Sequence, residues 1–267
     1  MKIGFIGCGN MGEAFLKGII NSKIVKVDDI FVYAKSKNTH IKNTYNVNIL
    51  SNENEITKVA DIIFLGVKPN VYFAVLDKIK EDLSENKTIV TMAAGITISS
   101  MYDKLSEKRN IRIIRTMPNL PLMIGEGCIA YTFSENVLSD EREFFTELFN
   151  KIGMAIEIKE NLYSAIIGAS GSSPAFVYVF IEAMADAVVA AGLPRKVAYQ
   201  LVAQSVVGAG KMVISTGKHP GELKDDVCSP GGTTIEGIKV LEGDRFRGAV
   251  IDGISAIIEK SEKMSKN

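Results

Sequence analysis

The sequence predicts an open, mostly parallel α/β sheet of the doubly wound kind, followed by an all-helical second domain. Three observations carry that prediction. Apolar strand-like runs alternate with helical runs through the first part of the chain. A Gly-x-Gly-x-x-Gly run, from Gly7 to Gly12, sits between the first strand and the first helix. From Leu162 the two-residue alternation stops and long apolar helical runs take over. The 267 residues suffice for one large or two ordinary domains. The change of pattern puts the boundary between residues 1–160 and 161–267.

Each element follows in order. Residues 2–6 form a short apolar strand. In the glycine run that follows, Gly7 makes the tight turn, Gly9 lets a pyrophosphate reach the backbone and Gly12 lets helix pack on strand. The helical run 13–20 completes the Rossmann-type opening. Residues 29–34 read as the second strand. An NAD-preferring fold places an acid at its end, and this chain has Ala34, Lys35, Ser36 and Lys37 instead. Two cations and a hydroxyl suit a 2′-phosphate, which favours NADPH, with NADH as the weaker alternative. Asn54, in the next polar connection, reaches the ribose or caps the helix that follows. Residues 61–66 form a buried third strand leading into Val67, Lys68 and Pro69. Residues 88–92 form a fourth, ending in Ala93, Ala94 and Gly95. Small residues at the carboxyl ends of parallel strands line the crevice where nucleotides lie. A fifth strand, 110–116, ends where Pro118 and Pro121 make the chain too proline-rich for regular structure. Strands at 128–132 and 154–158 flank a helix at 139–151.

In the second domain, Gly171, Ser172, Ser173 and Pro174 start a helical run over 175–191, which Gly192, Leu193 and Pro194 end. A second run, 195–216, stops at Gly217. Helices apolar on most faces must be buried on most sides. A homodimer with interleaved helices achieves that; packing back onto the α/β domain is the alternative. Ser229, Pro230, Gly231, Gly232, Thr233 and Thr234 then open a run over 235–241. Ser229 is placed to cap that helix and Pro230 to begin it. The free N–H groups of such a turn attract a carboxylate or phosphate.

The totals bound the function. A formal net charge of zero favours neither nucleic acid nor an anionic membrane. The chain enters an apolar strand at Ile3, which is read as leaving no room for a signal or transit peptide. No apolar run is expected to reach membrane-spanning length, because Glu182 and Asp186 interrupt the best candidate. Cys8, Cys128 and Cys228 are far apart and show no metal or redox spacing, so they read as reduced thiols of a cytoplasmic protein.

The stretch from Leu223 to Gly237, LKDDVCSPGGTTIEG, resembles the signature of pyrroline-5-carboxylate reductases. The resemblance runs nearly end to end, through Gly7 to Gly12, Val67-Lys68-Pro69, Ala93-Ala94-Gly95, Met117-Pro118-Asn119, Gly171 to Pro174, Gly192-Leu193-Pro194 and His219-Pro220-Gly221. It implies a Rossmann domain, a helical dimerisation domain and often a ring of dimers. By position, it implies cofactor contacts at Ile6, Gly7, Cys8, Gly9, Asn10, Met11, Ala34, Lys35, Ser36 and Asn54. Further contacts fall at Gly66, Val67, Lys68, Pro69, Met92, Ala93 and Ala94. Substrate contacts fall on Thr233 and Thr234, with Asp226 and Glu160 as neighbours. Two positions depart from the family pattern: Ser173 stands where Gly is usual and Phe176 where Tyr is common.

The residues suit the implied reaction, reduction of the cyclic imine 1-pyrroline-5-carboxylate to L-proline. Carbonyl reductions need a positioned acid, and neither His40 nor His219 has such a setting. An imine nitrogen is basic and enters already protonated, so the protein need only orient the ring and bind its carboxylate. Backbone N–H groups of the turn from Ser229 through Gly231, Gly232 and Thr233 would hold the carboxylate, and Thr234 Oγ would take the nitrogen as the catalytic contact. Two other readings remain at this point. One is a β-hydroxyacid-type dehydrogenase with Lys211 as its base; the other is a non-catalytic NADP(H)-binding regulator.

Overall fold

The computed structural model describes residues 1–105 and 110–265. The chain divides into two compact units: Met1–Gly171 with the end of the chain from Ile257, and Ser172–Ala256. The change of pattern at Leu162 therefore precedes the change of unit. Tyr163 explains why, since its buried hydroxyl donates to Arg115 O at 2.6 Å and ties the first helical residues to the sheet.

The first unit alternates strand and helix as β1 (Ile3–Ile6), α1 (Asn10–Ser22), β2 (Ile30–Tyr33), α2 (Asn38–Tyr45), β3 (Asn48–Ile49), α3 (Glu53–Val59), β4 (Ile62–Leu65), α4 (Pro69–Ile79), β5 (Thr88–Thr91) and α5 (Ile98–Leu105). It continues with β6 (Arg112–Pro118), β7 (Cys128–Phe133), α6 (Ser139–Ile152), β8 (Met154–Glu157) and α7 (Tyr163–Ile166). The strands form one sheet in the order β3-β2-β1-β4-β5-β6-β7-β8. Every neighbouring pair is parallel except β6 with β7, so β7 and β8 run against the rest. The doubly wound fold class is as expected. Two details differ. The two-residue β3 is too short to leave a periodic signal. β6 runs on through Pro118, because Pro118–Ile129 is a non-hydrogen-bonded pair beside the Asn119 N–Cys128 O bond, so the missing N–H costs the β7 ladder nothing. Asn119 then closes the β6–β7 connection, its Oδ1 accepting from Cys128 N at 2.8 Å.

The core lies on both faces of the sheet, and the pleat explains how one apolar strand feeds both. On β4, Ile62 and Phe64 point into one cluster while Ile63 and Leu65 point into the other. Phe64 stacks on Phe5 with ring centroids 4.9 Å apart, and Phe15 of α1 joins Phe64 to Phe149 of α6. Each such ring contributes roughly 1.5–3 kcal/mol by burial. The helices thus fix the carboxyl ends of β1, β2, β4 and β5 beside one another, where the glycine loop begins.

The second unit contains α8 (Ser173–Ala190), α9 (Arg195–Thr216), α10 (Pro220–Val227), α11 (Thr233–Gly243) and the first part of α12 (Phe246–Ser265). In the single chain α8 and α9 bury little: Tyr178, Val179, Leu201, Met212 and Ile214 are exposed. The expectation that no run reaches membrane-spanning length is corrected. Glu160–Ala190 and Arg195–Thr216, with mean hydropathies of 1.5 and 1.3, are long and apolar enough by length and composition. For the first span the reason is continuity: a π turn over Ile167–Gly171 joins α7 to α8, and Glu182 and Asp186 do not offset the added apolar length; the second is the single helix α9.

The helix start at Ser229–Pro230 is also corrected, because α11 begins only at Thr233, with Gly232 at its N-cap. Gly231 has φ +67°, a left-handed conformation that no helical turn accepts. Gly232 N donates to Ser229 O at 3.0 Å. Proline at the second position and positive φ at the third make residues 229–232 a type II turn ahead of the helix.

Candidate active site

The glycine loop folds as its sequence requires. Gly7 has φ +82°, and a Cβ on Gly12 would lie 2.8 Å from Gly7 O, so α1 packs directly against the turn. A Cβ on Gly66, at the end of β4, would meet the same Gly7 oxygen at 2.5 Å. Gly9 is different: a Cβ there would meet nothing within 4 Å, which leaves an open approach to the backbone. Gly9 is the N-cap of α1 and supplies no side-chain acceptor, so first-turn N–H groups are left open at the helix end, a setting suited to an anion. Pro69 opens α4 next to the exposed Lys68, again with no side-chain cap. Ile6, Cys8, Met92 and Ala93 are buried beneath this surface, while Asn10 is exposed and Met11, Val67 and Ala94 are half-buried. Burial, with the nearby Glu13 carboxylate, pushes the Cys8 thiol up to about 12, so it carries no thiolate chemistry here.

A cavity of about 430 Å³ opens beside the loop, lined by Ile6, Gly7, Tyr33, Lys35, Val67 and one face of α4. Sequence reasoning missed Tyr33, Glu53, Val71 and Lys78, all of which line it. Tyr33 ends β2, so the strand-end rule applied to Ala34 also reaches it. Val71, Val75 and Lys78 recur at helical spacing on α4. Asn54 lies in the first turn of α3, and its side-chain nitrogen donates to Lys78 O at 2.9 Å and Asp82 Oδ2 at 2.7 Å. The cap of α3 is Asn52, whose side chain accepts from Glu55 N.

After β2, Ala34 N donates to Asn38 Oδ1 at 2.7 Å and Lys37 N to Ala34 O at 3.0 Å, closing a tight loop. Lys35 and Ser36 at its tip are exposed. The Lys37 ammonium pairs with the Glu13 carboxylate, 3.2 Å from its Oε2.

In the second unit, His219 caps α10, its Nδ1 accepting from Gly221 N at 3.0 Å. The turn at 229–232 then leads into α11. Thr233 and Thr234 are its first two residues, both exposed, and neither hydroxyl has a hydrogen bond among the described residues. Helix N–H groups and unengaged hydroxyls thus meet at one helix end, a setting suited to a small carboxylate. Asp226 is held by Lys218, whose ammonium is 3.2 Å from its Oδ2 and 2.9 Å from Glu222. Glu160, in the first unit, accepts from Arg115 and from Ile98 N, each at 2.8 Å.

Two family models match the chain. Residues 160–264 match the one described as pyrroline-5-carboxylate reductase dimerisation, and residues 2–95 the one described as NADP oxidoreductase, coenzyme F420-dependent. The chain is 45% identical over 268 residues to the pyrroline-5-carboxylate reductase of Escherichia coli K12, covering 100% of this chain and 99% of that one. It is 37% identical over 268 residues to that of Arabidopsis thaliana, covering 100% and 96%. The crystal structure of Plasmodium falciparum pyrroline carboxylate reductase with NADP bound matches at TM-score 0.91 and 36% identity, covering 99% of this chain and 98% of that one.

Proposed function

The chain belongs to the pyrroline-5-carboxylate reductase family, and from that premise we propose how its own residues reduce 1-pyrroline-5-carboxylate to L-proline, the last step of proline biosynthesis. It is an oxidoreductase acting on a CH–NH group, with NADP as its cofactor. This takes the place of the hydroxyacid-dehydrogenase and regulator readings.

The residues fit that cofactor. The uncapped end of α1 and the open approach at Gly9 suit a pyrophosphate, which Ile6 to Met11 would cradle. Lys35 and Ser36, exposed at the tip of the Ala34 loop, would hold a 2′-phosphate, with NADH as the weaker alternative. Asn54, Gly66 to Pro69 and Met92 to Ala94 would border the rest.

When bound, the reduced nicotinamide supplies the hydride. The chain's own task is to hold the ring and its proton. Gly232 N–H is engaged inside the turn, so the amides that receive the substrate carboxylate begin with Thr233 in the first turn of α11. Thr234 Oγ accepts the N–H of the protonated imine and orients the carbon beside it. Addition of hydride to that carbon neutralises the charge on nitrogen, and no acid of the enzyme is consumed. This accords with the histidines, since His40 sits against Glu13 and His219 caps α10. The observation that carries the reading is the pair of unengaged threonine hydroxyls at the open end of α11. The test is NADPH oxidation with pyrroline-5-carboxylate, repeated with NADH. No turnover with either would refute it.

We further read the protein as a cytoplasmic homodimer, extending to a ring of dimers, that binds neither nucleic acid nor membrane. The exposed apolar faces of α8 and α9 support the dimer. Zero formal net charge supports the absence of nucleic-acid and anionic-membrane binding, and three free thiols support a reducing compartment. We place the functional boundary at 160/161, within one residue of the start of the dimerisation match at 160.

A further inference from the structure

Glu13 is 7% exposed, yet it is a charged residue in the turn that follows the glycine loop. A buried carboxylate is costly unless paired and hydrogen-bonded. This one is served three times over. Lys37 Nζ donates to Oε2 at 3.2 Å, Tyr45 OH donates to Oε1 at 3.1 Å, and His40 Nε2 lies 2.9 Å from Oε1. The three partners are the N-cap, a middle residue and the last residue of α2. One carboxylate therefore fastens the whole of α2 to α1. The loop between β2 and α2 has its own closure, Ala34 N to Asn38 Oδ1. Its direction follows from where α2 is docked.

We infer that Glu13 is a positioning residue for NADPH selection: by gathering Lys37, His40 and Tyr45 it docks α2 so that Lys35 and Ser36 face the 2′-phosphate. The inference rests on the NADPH-preferring reading above and deepens it. It also assigns the neighbouring cation. Lys37 neutralises Glu13, so the carboxylate does not repel an anionic cofactor, and selection falls to Lys35 and Ser36. NADPH and NADH differ only in the 2′-phosphate. A residue that merely stabilises the domain alters both KM values alike, whereas one that aims the loop alters only the first.

The test is steady-state kinetics of the full-length enzyme with each cofactor at saturating pyrroline-5-carboxylate, comparing parent, Glu13→Gln and Tyr45→Phe. For Glu13→Gln the expected result is a rise of about fivefold or more in KM for NADPH, with KM for NADH and kcat within about twofold. Tyr45→Phe removes one of the three bonds and should move the same ratio less. An unchanged NADPH-to-NADH ratio in Glu13→Gln overturns the inference. So does a fall in KM for NADPH, which would mean that Lys37, once released, serves the phosphate itself. If Glu13→Gln does not fold, Tyr45→Phe decides, and an unchanged ratio there overturns it. A parent enzyme that prefers NADH refutes the underlying reading. A parent that prefers NADPH, with both variants unchanged in ratio, refutes only the role of Glu13.

Discussion

Glu160 Oε1 accepts a guanidinium N–H from Arg115 at 2.8 Å and, at the same distance, the backbone N–H of Ile98 that opens α5. Arg115 is 3% exposed, its guanidinium lies 4.0 Å over the Tyr163 ring, and its Nε has no partner among the described residues. Removing the carboxylate would strand a buried cation. Glu160→Ala should therefore lower stability by about 1.5–3 kcal/mol, the range for hydrogen bonds to charged groups, and leave KM for the imine little changed. Urea denaturation beside steady-state kinetics checks this. A many-fold rise in KM at unchanged stability would instead make Glu160 a substrate contact.

The exposed pair at the tip of the Ala34 loop gives a second prediction. Lys35→Ala combined with Ser36→Asp should move the preference from NADPH toward NADH, because a carboxylate there repels the 2′-phosphate and suits ribose hydroxyls. The ratio of kcat/KM for the two cofactors is the measurement. A ratio equal to the parent's would place the phosphate elsewhere.

Glu13 also predicts a pH dependence of stability. Burial alone would raise its carboxyl, but hydrogen bonds from His40, Lys37 and Tyr45, with the charge of Lys37, outweigh burial and hold it below the ordinary glutamate value. A carboxyl lowered on folding adds stability that is present above its unfolded value, about 4.3, and is lost as pH falls through the folded one. The stability gap between parent and Glu13→Gln should be full at neutral pH and close on acidification below that value. Urea denaturation at stepped pH reads the gap, and a gap that persists in acid would contradict the ionised state.

These residues also mark where the sequence was legible. The sheet was, because β4 is an unbroken apolar run and glycine followed by helix announces itself after β1. The start of α11 was not, because Pro230 suits a helix and a type II turn equally, and only the positive φ of Gly231 decides. Continuity through the π turn into α8 was hidden because Gly171 and Pro174 look like a start signal. Glu13 and Glu160 were obscure for another reason. Their partners lie 24 to 62 residues away, and no local pattern reports such contacts. Lys37, a candidate phosphate cation by its place after β2, also pairs with Glu13, a contact that spacing does not report.

The apolar faces of α8 and α9 predict an obligate dimer. Ile214 is 85% exposed in the single chain, on a helix whose other faces are also apolar. Ile214→Asp should weaken association, and light scattering of the parent at micromolar concentration should find a dimer as the smallest species. A stable, active parent monomer would contradict this.

The last prediction concerns Thr234. A threonine in the first turn of a helix often bonds its own backbone, and such a bond is worth about 0.5–2 kcal/mol of stability. Here the cap position is Gly232, and the Thr234 hydroxyl has no hydrogen bond among the described residues. Thr234→Ala should therefore leave the melting temperature and NADPH affinity nearly unchanged. If the hydroxyl orients the imine nitrogen, kcat/KM should fall about tenfold, equivalent to about 1.4 kcal/mol of lost transition-state stabilisation. Thr234→Ser keeps the hydroxyl and should keep much of the activity. An alanine variant as fast as the parent would leave the turn as a carboxylate site alone, with the amides from Thr233 onward holding the substrate.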